Sequence, residues 1–189
     1  MYQVFFDRFS ETLGEPSSVP LFDRAPVEEG LGRALPDDLV FLMKSYGSII
    51  GWGGDETVIR VNATPRVKMG VGEFIERRNE DTYEVIEPFC GIYIGEDFGR
   101  WVDASVILSR NPYNVFAIGE VDGRDLLLFF DEVIGGWTIV HDIGGEWWQF
   151  EGGICELLVK MDSGEVRIPY MEDFFVGMDL EQETDEISI

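Results

Sequence analysis

Leu39, Leu42, Met43 and Tyr46 recur at i, i+3, i+4 and i+7 between Leu31 and Gly47, with Val40 and Phe41 widening the apolar stripe. That spacing predicts a mostly buried helix. Pro36 suits the first helical position, where its missing N–H would have no partner anyway, and Asp37 and Asp38 place negative charge against the positive end of the helix dipole. Lys44 falls in the last turn, where a cation is favourable, and Gly47 can take the left-handed conformation that closes the helix. Upstream, Tyr2, Phe5, Phe6, Phe9 and Leu13 predict a first amphipathic helix, which Gly14 and Pro16 stop. Residues 15–30, rich in Pro, Ser and Glu, read as a connection.

After Gly47 the pattern turns to β. Glycines around Trp52 imply a bend or bulge, with the indole capping the edge of the core, and Thr57 to Val61 reads as a short strand. Between Pro65 and Pro88 a short helix is expected near Val71 to Arg78, its Arg77 and Arg78 paired with neighbouring acids. Phe89 to Ile94 and Trp101 to Leu108 are β-rich. The clearest sheet signal is Tyr113 to His141, where Val115 to Ile118, Leu126 to Phe130 and Trp137 to Val140 are joined by short connections, as in an antiparallel meander. Leu126 to Phe130 does not alternate, which predicts a central strand covered on both faces. Ile154, Leu157, Leu158 and Met161 give a last helix before Gly164. The expected fold class is α+β: N-terminal helices, then a mostly antiparallel sheet (meander 113–141) with a C-terminal helix packed on it. Residues 1–178 read as one domain, and 179–189, with acids and no bases, as an acidic tail.

Composition narrows the function classes. A chain of 189 residues with 45% hydrophobic content supports one sizeable core. Its 37 acidic and 14 basic residues give a formal charge of −23, a field that repels nucleic-acid phosphate and anionic membranes and speeds encounter with a basic protein. The plainer role of such charge is to keep a monomer soluble. No apolar run of about 18 residues occurs, and the first residues lack a signal-peptide pattern, so a cytoplasmic location is expected. Cys90 and Cys155 read as reduced, buried thiols.

Candidate chemistry is sparse. His141 is the single histidine and follows a strand, the usual setting of a structural ring; it excludes multi-histidine metal sites. The segment Glu120 to Asp125 resembles part of a calcium loop, but Ile118 and Phe129 occupy its first and last ligand positions, so a β-turn is the better reading. Gly70 and Gly72 begin a nucleotide fingerprint that Ile75 breaks. Carboxylate pairs abound without a spacing that selects one. The reading is therefore a non-enzyme with no cofactor, metal or catalytic residues. What remains is a surface of Glu96, Asp97, Glu120, Asp122, Asp142 and Glu146 interleaved with Trp101, Trp147 and Trp148, which would suit a basic partner if the tryptophans were exposed. The ordinary alternative puts the tryptophans in the core and the acids on solvated loops.

The run Glu29, Leu31-Gly32, Leu35-Pro36-Asp37 and an apolar helix ending in Tyr46-Gly47 resembles the N-terminal motif of the SUKH superfamily, which holds cell-wall regulators and bacterial immunity proteins. Ile118-Gly119, Asp122-Gly123, the apolar strand to Phe130 and the helix at Ile154 to Met161 extend the likeness over roughly Glu28 to Gly164, although Leu39 stands where those proteins often carry an aromatic. With Phe9 and Gly14-Glu15-Pro16, the same motif is also similar to the GAD-like immunity proteins of type VI secretion. Both resemblances imply an antitoxin that occludes a secreted toxin, plausibly a basic nuclease domain. The regulator members imply a non-catalytic scaffold instead, and a carboxylate-dependent hydrolase is a further alternative.

Overall fold

The computed structural model describes residues 3–16, 22–53, 56–62, 89–94, 97–103, 115–131, 134–143, 146–169, 171 and 175–183. Among the described residues four helices, α1 (Gln3–Leu13), α2 (Arg24–Leu31), α3 (Asp37–Ser45) and α4 (Ile154–Asp162), accompany the strands β1 (Ser48–Gly53), β2 (Glu56–Asn62), β3 (Phe89–Ile94), β4 (Asp97–Asp103), β5 (Val115–Val121), β6 (Arg124–Asp131), β7 (Gly136–Asp142), β8 (Trp147–Phe150) and β9 (Asp179–Gln182). Among the described residues the strands form one nine-stranded sheet in the order β4-β3-β8-β7-β6-β5-β2-β1-β9. Neighbours are antiparallel except β3 and β8. The fold class is α+β, as the pattern predicts.

The meander β5-β6-β7 lies at the middle of the sheet, and β6 is its central strand. Leu126, Leu127, Leu128 and Phe129 are all buried, so both faces of β6 are covered. On one face Leu126, Leu128, Ile139, Trp148, Ile59 and Ile49 join Phe9, Leu42, Met43, Leu157 and Leu158 from the helices in a single core. Ile50, Leu127, Phe129, Val140 and Trp147 are buried without joining that core, because alternation along each strand turns them to the opposite face.

Local chemistry places the helices. Gly47 takes φ +74° and its N–H reaches the Leu42 carbonyl at 3.0 Å, closing α3, while Tyr46 Oη donates to the Gly14 carbonyl at 3.0 Å and ties the end of α1 to the end of α3. Pro36 caps α3 from outside its first turn rather than opening it, and Asp37 is the first helical residue. Asp122 and Gly123 both have positive φ, 48° and 69°, as a type I′ hairpin turn requires between β5 and β6.

Three expectations are corrected. Residues 15–30 are not all connection: Asp23 accepts a hydrogen bond from the Ala25 N–H and starts α2, Pro26 sits in the first turn where its missing N–H is harmless, and Gly32 closes the helix at φ +66°. The acidic tail does not begin at Asp179, because residues 179–182 are β9, hydrogen-bonded to β1 along the register Ile49↔Gln182 to Trp52↔Asp179. Leu180 is buried, and Gln182 Nε2 donates to the Tyr46 carbonyl at 2.7 Å. The third concerns Trp147 and Trp148, which are 3% and 1% exposed. The helix expected at Val71 to Arg78 lies outside the described residues, as do residues 184–189.

Candidate functional site

Asp38 joins two helix starts. It lies in the first turn of α3, yet it is buried, and its Oδ2 accepts the Cys155 N–H of α4 at 3.2 Å. The N–H groups of Leu39, Ile154 and Asp38 itself also act on the carboxylate. One acidic side chain thereby serves the free donors of α3 and α4 together. Burial outweighs these hydrogen bonds and raises the Asp38 pKa above the ordinary carboxylate value. Gly153 must lack a side chain, since a Cβ there would collide with the Asp38 carboxylate. Cys155 Sγ lies 3.7 Å from the Asp38 carbonyl oxygen it faces as donor. Burial, and then the Asp38 charge, push its thiol well above the usual range, which keeps it protonated and unreactive.

Beside this junction lies a cavity of about 120 Å³. Leu39, Ile118, Leu128 and Ile154 form its buried floor, and Asp37, Trp137 and Glu151 stand at its rim. Trp137 is fixed: its Nε1–H donates to the Ala34 carbonyl at 2.7 Å and its ring meets Phe130 edge-on at 5.3 Å. The Arg33 guanidinium in turn covers the Phe130 ring at 3.7 Å.

The acids and tryptophans singled out in the sequence separate in the structure. Strand registers bring positions 125, 120, 60, 50 and 181 into one row across β6, β5, β2, β1 and β9, and the Trp147–Asp142 pair of β8 and β7 extends it, since Asp142 follows His141, the partner of Leu126; Glu120, Arg60 and Ile50 face away from the helices. Within it Arg60 binds two carboxylates, Glu120 at 3.2 Å and Glu183 at 3.5 Å. Asp122 stands exposed in the adjoining turn, and Glu146 is half-buried in the β7–β8 turn, where the Ile143 N–H donates to its carbonyl at 2.9 Å. Asp97 is off the row: it pairs with Ile94, which is level with Gln149, two residues beyond Trp147. Position Trp101 pairs with Gly91, one step outside the row, and Glu96 lies outside the described residues.

Of the set, Glu120, Asp122 and Asp142 lie in or beside one row, Asp122 exposed and the other two half-buried, with Glu146 in the next turn. Trp147 and Trp148 are structural, because adjacent positions on a strand buried on both faces each face a packed layer. His141 is fully buried on β7, opposite Trp148. Among the described residues no group of three or more His, Cys, Asp or Glu could hold a metal ion. The Asp38 junction and its cavity escape a sequence reading, since Asp38 looks like an ordinary first-turn acid. The available signal was Gly152-Gly153 directly before an apolar helix, a start with no side-chain cap of its own.

This geometry defines an α+β protein whose sheet is covered on both faces, with a row of acids on the side away from the helices and a cavity between two helix starts on the other. No family model, curated protein or solved structure matches the chain.

Proposed function

We propose that this protein is a bacterial immunity protein that binds and occludes a cognate secreted toxin with a basic surface, such as a nuclease. The observation that carries this reading is the charge of −23 combined with acids such as Glu120 and Glu181 that share a row of the sheet away from the helices. A nuclease must present positive charge where it holds phosphate, and covering that ground needs steering and contact rather than a catalytic group. The motif from Glu29 to Gly47 supports the same reading through its resemblance to immunity families. A cytoplasmic monomer accords with it, and no helix among the described residues is long and apolar enough to cross a membrane.

The test is a titration against the purified C-terminal domain of a large secreted protein encoded beside this one. One-to-one binding should have an on-rate that falls about tenfold or more as salt rises to physiological strength. Asp122→Asn with Asp142→Asn should slow association further while leaving the dissociation rate nearly unchanged. A salt-independent on-rate would remove the electrostatic argument, and no binding to a folded, active partner would move the assignment to a regulatory scaffold.

A further inference from the structure

The cavity between the starts of α3 and α4 combines an apolar floor of Leu39, Ile118, Leu128 and Ile154 with carboxylates at its mouth. Its volume of about 120 Å³ suits one side chain, being near the size of an engineered cavity that takes a benzene ring. Two helix N-termini border it, a setting that ordinarily favours an anion. Each such end is worth about half a positive charge, about one in total, and Asp38 already occupies their donors. Asp37 and Glu151 at the mouth contribute two exposed negative charges against about one positive from the helix ends, and Arg33 on the neighbouring Phe130 ring offsets part of the excess that these and an ionised Asp38 leave.

Resting on the reading above, we propose that this cavity receives an arginine side chain of the basic partner. The aliphatic stem would lie on the floor, and the guanidinium would meet Asp37 and Glu151 beside the Trp137 ring. Arginine fits better than lysine because its planar, weakly hydrated head can fork across carboxylates and lie against an aromatic ring. The chain already makes such a contact next door, where Arg33 covers Phe130. The cavity would be a second contact region, on the helical side of the sheet and separate from the acidic row.

The test uses the whole chain, ¹⁵N-labelled, titrated with N-acetylarginine amide and, separately, with the uncharged N-acetylnorleucine amide. The Trp137 indole N–H, held on the Ala34 carbonyl, is the reporter. The arginine compound should shift it saturably, in roughly the millimolar range expected of so small a ligand, and the norleucine compound should not. Asp37→Asn with Glu151→Gln should weaken the arginine compound about tenfold while the indole resonance of the free protein stays in place, which shows that the fold is kept. Absence of a saturable shift, equal response to both compounds, or an unchanged affinity in the double variant would each overturn the assignment. With the toxin domain as ligand, an unchanged affinity in that double variant overturns the pocket and leaves the immunity reading standing. If the toxin domain does not bind the wild-type chain at all, the immunity reading fails, and the arginine titration still decides whether the cavity accepts a guanidinium.

Discussion

The α3–α4 junction and the acidic row are both built around one ionisable residue that serves two neighbours, and they differ in solvent. Asp38 is buried and holds backbone donors of two helices, whereas Arg60 is about one-third exposed and holds two carboxylates, Glu120 and Glu183. At the junction the carboxylate is buried, so a lost partner leaves a buried donor behind, and geometry is fixed down to the missing Cβ of Gly153. In the row water screens and substitutes, so the same number of contacts contributes little to stability and leaves the charges free to act on another molecule. The helical side thus specifies the fold, and the acidic face is where substitution can change binding without unfolding the protein.

The largest effect expected from a single small change lies where the two regions meet, at Gly119. A Cβ there would collide with the Arg60 carbonyl oxygen and come within 3.0 Å of Val61 Cα, and backbone cannot retreat as a side-chain tip can. Gly119→Ala should cost roughly 3 kcal/mol or more in denaturant unfolding. A smaller loss would mean that β2 and β5 can separate locally. Asp38→Ala comes next, at about 2–3 kcal/mol, because it strands buried N–H donors; a loss under about 0.5 kcal/mol, typical of surface sites, would show that water reaches the junction.

Acidity sharpens the same contrast. The folded state keeps the Asp38 proton to higher pH than the unfolded chain does, so its contribution is complete below the ordinary carboxylate pKa. It is lost as pH rises through the raised folded value. Asp38→Asn should therefore lower stability most at acid pH, and the difference from wild type should shrink across that window; a difference independent of pH would show that Asp38 titrates normally. The smallest stability effect belongs to Arg60→Gln, within about 1 kcal/mol. Removing this positive charge should nonetheless speed association with a basic partner, and slower association would place Arg60 itself in the contact.

Much of the helical side was legible beforehand because it follows periodicity and end signals. The stripe from Leu39 to Tyr46, the stop at Gly47 and the unalternating run Leu126 to Phe129 each follow from one local rule. The helix α2 escaped because Pro26 and Gly30 look like breakers, although Asp23 and Gly32 mark its ends. The strand β9 escaped because sheet pairing runs through the backbone: one buried residue, Leu180, suffices beside β1, and acids on the exposed positions do not prevent pairing. The acidic set was legible only as composition. Which acids share a face depends on registers between strands far apart in sequence, and adjacent tryptophans carry no sign of whether a second layer covers the outer one.

The place of β9 also bears on how the chain reaches its native state. It completes the sheet beside β1, although about 130 residues separate Ile50 from its partner Glu181. Until residues 179–182 have left the ribosome, β1 has an unpaired margin, and β2 on its other side must wait for β5. Such long-range pairings slow folding and leave strand margins open to other nascent chains. Once docked, β9 becomes the margin of the finished sheet, and its exposed acids Asp179 and Glu181 have a second use there: like charges repel, so two completed copies of this protein are kept from pairing edge to edge.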